Sequence, residues 1–74
     1  MARILIVNPN CNTACTEGIA AAVAPLSLRD GPDLDVTTLA EGPSGIYSWQ
    51  DWYQVVPPLA ALVRREAADV FVIA

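Results

Sequence analysis

Four side chains near the start of the chain have the means to do chemistry: the carboxamides of Asn8 and Asn10, which bracket Pro9, and the thiols of Cys11 and Cys15. A carboxamide offers donors and acceptors without charge, which suits a carboxylate, ureide or amide ligand. A thiol acts as a nucleophile or a proton carrier through its thiolate. Cys11 stands just before a helical pattern, where the macrodipole favours thiolate, so it is a possible reactive thiol; its other reading is a small residue tolerated in a turn. Cys15 falls on an apolar stripe and reads as a small buried hydrophobe. Asn8 and Asn10 likewise have a structural reading, as Asx bonds that tie a turn.

Other chemistries fit the chain poorly. There is no histidine, so a general base within these residues would have to be cysteine or carboxylate. The loop after Val7 has no lysine and no glycine before Gly18, which excludes both a Walker phosphate loop and a dinucleotide fingerprint. Glu17 stands where a phosphatase loop would need an arginine. Cys11 and Cys15 supply at most half of a zinc or cluster site, and no metal or other cofactor is expected. The formal charge is −4, and the four basic residues, Arg3, Arg29, Arg64 and Arg65, form no stripe that could track a phosphate backbone. Nucleic acid is therefore not an expected partner. No apolar run approaches the ~20 residues of a membrane span, no signal-peptide pattern is present, and two closely spaced free thiols fit a reducing cytoplasm.

The elements that must position the carboxamides follow from the apolar pattern. After Arg3, Ile4 to Val7 is a continuous apolar run, the signature of a parallel strand buried on both faces, and in open α/β sheets ligands bind beyond the carboxyl ends of such strands. Asn8 to Asn10 lie at that end. A helix follows, capped at Asn12 or Thr13, with Glu17 in its first turn and a stripe of Cys15, Ile19, Ala22, Val23 and Leu26; Pro25 ends or kinks it near Ala24. Asp35 to Leu39 reads as a second strand, and Ala40 to Ser48 as a loop in which Gly42 to Ile46 is either an adaptable lid or a plain connection. Trp49 to Val56 and Pro58 to Glu66 read as two helical pieces split at Pro57-Pro58. Ala68 to Ala74 is the third strand.

The resulting order is βαβαβ, an α/β unit with a parallel sheet, and right-handed crossovers with β1 in the middle give flavodoxin-like order. Strand three ends at the last residue, so residues 1–74 read as the amino-terminal part of one α/β lobe, completed by further polypeptide or by a partner chain. Trp49, Trp52 and Tyr53 place at least two aromatic rings on one helix face, as in a core or a subunit interface.

The run Ile4-Leu5-Ile6-Val7-Asn8-Pro9-Asn10, followed by Thr16-Glu17-Gly18-Ile19, resembles the amino terminus of the Asp/Glu/hydantoin racemase superfamily, in particular its hydantoin-racemase branch. Glu41-Gly42-Pro43 with Ile46, Pro57, and Ala68 to Ala74 fall in matching order. The resemblance implies a two-lobed fold with the active site between similar α/β halves. It also implies cofactor-free racemisation, one cysteine removing the α-proton while a second delivers a proton to the opposite face. The first of these cysteines would come directly after Ala74 and the second far beyond it, so neither Cys11 nor Cys15 matches them. Asn10 matches a residue that helps to fix the substrate, Asn8 and Pro9 its supporting turn, and Ile46 a residue of the pocket loop. Cys11 stands where threonine is usual, Asn12 for serine, Cys15 for methionine and Gly45 for the loop serine. The implied substrate is a hydantoin, an amino acid or a dicarboxylate-like small molecule, and the implied assembly a homo-oligomer. Isomerases and decarboxylases of the same superfamily are the nearest alternative, and a non-catalytic binding or assembly module built on Trp49, Trp52 and Tyr53 is the alternative from another class.

Overall fold

A computed structural model describes residues 2–74. The chain forms β1 (Arg3–Asn8), α1 (Thr13–Val23) with a following 3-10 turn at Ala24–Leu26, β2 (Asp33–Thr38), α2 (Trp49–Arg65) and β3 (Val70–Ile73). All strand pairs are parallel, in the order β2-β1-β3. The fold is thus α/β, a flavodoxin-like half-domain, with β1 central as its apolar sequence requires. Val7 is paired with Thr37 on one side and Ile73 on the other, and Leu5, Ile6 and Val7 are 7% exposed or less.

From the central strand the chain crosses to β2 on one side and then over to β3 on the other. Two right-handed crossovers in opposite directions place α1 and α2 on opposite faces. Alternation along β1 sends Leu5 and Val7 to the α2 face, where they join Leu39, Val55 and Leu62 in the core, with Leu59 and Phe71 packed around them. Burial of each such side chain is worth about 1.5–3 kcal/mol. The other face is more thinly covered: α1 packs mainly on β2, and none of its residues is fully buried.

The amino-terminal edge of the sheet is tied by Arg3. Its backbone N–H donates to Asp69 (2.7 Å), its Nε to Asp35 (2.6 Å) and its Nη1 to the Ala67 carbonyl (3.1 Å). The hydrogen-bonded Asp35 carboxylate raises the pKa of this guanidinium above its ordinary value, with Glu66 adding to the effect.

Four sequence expectations are corrected. First, α2 is one helix with Pro57 and Pro58 inside it. The prolines leave the carbonyls of Tyr53 and Gln54 without helical donors, but both residues are exposed and water can serve them. Val55 and Leu62, buried on either side of the prolines, hold the helix on the sheet. Second, Cys15 is exposed, and the inward positions of α1 are Thr16, Ile19 and Val23. The Thr16 hydroxyl is bonded to Asn8 and Thr38, which fixes the rotation of the helix and turns its neighbour Cys15 outward. Third, Glu17 lies beyond the first turn of α1, because the cap is Asn12. Fourth, the second strand starts at Asp33, where the Asp33 N–H donates to the Ala2 carbonyl (2.9 Å).

Candidate substrate-facing site

The carboxyl end of β1 is organised by Asn8, which is 2% exposed. Its Oδ1 accepts from the Asn10 N–H (3.2 Å), while its amide hydrogens divide among Asn10 Oδ1 (2.9 Å), the Asn12 carbonyl (3.1 Å) and Thr16 Oγ1 (3.1 Å). A single buried carboxamide thereby joins the strand, the turn and the first helical turn. The Thr16 and Thr38 hydroxyls extend the network to β2. Composition gave little warning of the threonines, although Thr16 stands one helical turn after the cap and Thr38 at the end of its strand.

Asn10 is half-buried, and its carboxamide is oriented by what it must accept. Oδ1 receives the Asn12 N–H (2.9 Å) as well as Asn8 Nδ2, so this atom is the oxygen and the other the nitrogen. The Asn10 Nδ2 donates to no group among the described residues. No buried side-chain polar atom among them lacks a partner, so this NH2 is open to solvent. The result is a donor held in place by a carbonyl that cannot move without breaking the turn.

The helix amides are more occupied than the sequence suggests. Ala14 N–H is capped by Asn12 Oδ1 (3.0 Å), and the Cys15 and Thr16 N–H groups bond to the Asn12 carbonyl (3.1 and 3.4 Å). Cys11 N–H is taken by the Pro43 carbonyl (2.8 Å). An anion would therefore not find an open ring of amides at this helix start. Both thiols, Cys11 and Cys15, are free and exposed.

The Pro43 contact brings the loop after β2 against the asparagine turn. Pro9 is buried at this crossing, and Gly42 has no room for a side chain, since a Cβ there would lie 2.4 Å from the Pro9 carbonyl oxygen. Ile46 is half-buried against the core. It lies three residues past Pro43, no more than about 10 Å of chain. Beyond it, Ile46, Tyr47, Trp49 and Trp52 line an open groove of about 340 Å³.

The cations are segregated along the strands, while acidic groups stand at both edges. Arg3 opens β1, Arg29 precedes β2, and Arg64 and Arg65 end the helix that leads into β3, so every cation of the chain sits at the amino-terminal edge. At the opposite edge, around the asparagine turn, the charged groups are Glu17, Glu41 and Asp51. Among the described residues no three histidine, cysteine or acidic side chains cluster as metal ligands would, and no helix is long and apolar enough to cross a membrane.

A central parallel strand ending in a fixed carboxamide turn defines an α/β protein whose turn lies at the edge where open parallel sheets take their ligands. A family model for Asp/Glu/Hydantoin racemase matches residues 4–74, and the chain belongs to that family. No curated protein and no solved structure matches it.

Proposed function

We propose that this chain supplies the substrate-orienting portion of a cofactor-independent racemase, and that the substrate is a hydantoin or a related neutral amino-acid derivative. The observation that carries the reading is the free, fixed NH2 of Asn10 at the carboxyl end of β1. Removing a proton next to a carbonyl turns the carbonyl oxygen towards an enolate, and a preorganised neutral donor stabilises that charge more than it stabilises the starting carbonyl. Asn8 is a positioning residue: its buried carboxamide holds Asn10 and does not itself meet the substrate. Pro9 sets the turn, and Ile46 forms the apolar side of the approach. Family membership supports the rest of the scheme. A thiolate takes the α-proton from one face while a thiol on the other face gives one up, so the enzyme regains its two protonation states in reverse. In this scheme the thiols lie outside residues 1–74, the first directly after Ala74, and Cys11 and Cys15 are bystanders.

The neutral substrate is supported by the charge pattern. A second carboxylate, as in a dicarboxylate, would meet Glu17, Glu41 and Asp51 at this edge rather than an arginine. Kinetics of the racemase that contains this chain test the proposal. Asn10→Ala should lower kcat/KM by ~10²-fold or more, the usual loss for one such donor, and Asn10→Asp at least as much, because a carboxylate repels the developing charge. If Asn10→Ala racemises like the parent and only melts earlier, Asn10 is a turn residue and the assignment is wrong.

A further inference from the structure

The groove beyond the asparagine turn is lined by Ile46, Tyr47, Ser48, Trp49 and Trp52, so both tryptophans of the chain border it and no charged side chain does. Its place is fixed by the loop and the helix that form it. Cys11 N–H, next to Asn10, bonds to the Pro43 carbonyl (2.8 Å), and α2 starts from the carboxyl edge of the sheet because it follows β2. The groove therefore lies at the edge where Asn10 presents its NH2. Tyr47 N–H donates to Asp51 Oδ2 (2.8 Å) and Asp51 N–H to Ser48 Oγ (3.2 Å), which clamps the loop on the first turn of the helix. From that clamped backbone the Tyr47 ring lies back over Gly45, where a Cβ would stand 2.4 Å from Cε2, Cζ and Oη alike. Tyr47 is 90% exposed, Trp49 77% and Trp52 43%, so three aromatic residues around one groove are open to whatever enters it.

We infer that this groove takes the side chain carried by the α-carbon of the substrate, that this side chain is aromatic, and that Tyr47 on its Gly45 seat sets the choice. The inference rests on the racemase reading given above and names the substrate class within it. Removing the α-proton flattens the α-carbon, so its substituent lies in the plane of the enolate whichever enantiomer it came from. One groove beside the donor therefore serves both enantiomers, and a substituent seated there holds the α-carbon in line between the two proton carriers. The substituent and the enolate oxygen stand on adjacent carbons, so the groove has to begin close to Asn10, and the loop that bears Ile46 is pinned to the residue after it. Indole and phenol rings favour an offset or edge-to-face ring over an alkyl chain by roughly two- to tenfold beyond the area covered. A charged substituent would lose its hydration there and find no counter-ion among the lining residues.

Two hydantoins, one bearing benzyl and one bearing methyl at the α-carbon, test it with the racemase that contains this chain. The expected result is a kcat/KM ratio in favour of benzyl, cut by about tenfold in Tyr47→Ala and in Trp49→Ala; both positions are exposed, so the melting temperature should hold. Gly45→Ala should cut the ratio as well, by unseating the ring, and in a Tyr47→Ala background it should do nothing further. Asn10→Ala should slow both substrates alike, so a failure at the groove and a failure of the donor are told apart. Binding of the benzyl compound, followed through tryptophan emission, needs no turnover; it should be saturable and about tenfold weaker in Tyr47→Ala. A parent that prefers methyl, a ratio unmoved by Tyr47→Ala and Trp49→Ala, or a loss shared equally by the two substrates in these variants would overturn the proposal. So would a benzyl compound that leaves the tryptophan emission unchanged.

Discussion

Replacing Asn8 by alanine should be among the most destabilising single changes in this chain, although it removes only a few atoms. The side chain is 2% exposed and its bonds reach Asn10, Asn12 and Thr16. Each net hydrogen bond is worth about 1 kcal/mol, and an acceptor or donor left dry costs about 1–3 kcal/mol. Because the turn can partly rehydrate, about 3 kcal/mol is the expected loss, a large share of the ~4–11 kcal/mol typical of a domain this size. The melting temperature should then fall by roughly 12–24 °C. Asn8→Asp separates the hydrogen bonds from mere space filling. It keeps the shape but points an anionic oxygen at acceptors, so burial and repulsion raise its pKa in the folded state above the unfolded ~3.9. A group with a raised folded pKa binds its proton more tightly when folded. The penalty is therefore smallest below the unfolded pKa, grows as pH rises towards the folded value and then levels off. Urea unfolding of parent, Asn8→Ala and Asn8→Asp between pH 3 and 8 gives the comparison. If Asn8→Ala costs under about 1 kcal/mol, or if Asn8→Asp shows no pH-dependent loss relative to the parent, the network is not what holds this end of the sheet.

Asn12→Ala should remove the cap on Ala14 and cost about 1 kcal/mol in urea unfolding, without the larger loss expected at Asn8. Gly18→Ala should raise stability by roughly 0.5–1 kcal/mol, since the helix position is open and a Cβ there meets nothing within 4 Å; a decrease would mean that α1 is packed differently. Gly42→Ala should lower the melting temperature sharply, because its Cβ would run into backbone that cannot give, the Pro9 and Leu39 carbonyls. Cys11 and Cys15 should both react with an aromatic disulfide reagent in the native chain, and protection of either until unfolding would contradict their exposure.

Much of this architecture is legible in the residues themselves. The unbroken Ile4-Leu5-Ile6-Val7 run could only be a strand covered on both faces, which puts β1 in the middle and Asn8 to Asn10 at the ligand edge. What stayed hidden depends on contacts between distant residues. Two adjacent prolines argue locally against a helix, and only the burial of Val55 and Leu62 on the sheet outweighs them. Cys15 looks apolar by its place on the helix, yet the rotation of α1 is set by a hydroxyl on Thr16 that finds Asn8 and Thr38. Asn8 and Asn10 look interchangeable as a pair of carboxamides. They differ because one is buried with both ends engaged while the other keeps a donor outside, a distinction that exists only once the turn has closed.

The crossing of Gly42 over Pro9 divides the loop after β2 into a part that cannot vary and a part that can. At the crossing, main chain lies on main chain, so its geometry depends on no side-chain identity and tolerates none at position 42. A few residues on, from Ser44 to Ile46, the loop meets no such main-chain contact, Gly45 facing only the Tyr47 ring, before Tyr47 and Ser48 are tied to Asp51 at the start of α2. Relatives that exchange residues beyond the crossing would reshape the approach to Asn10 while the pin beneath it stays in register. Selectivity could then diverge among them without any rearrangement of the strand-end turn that holds the donor.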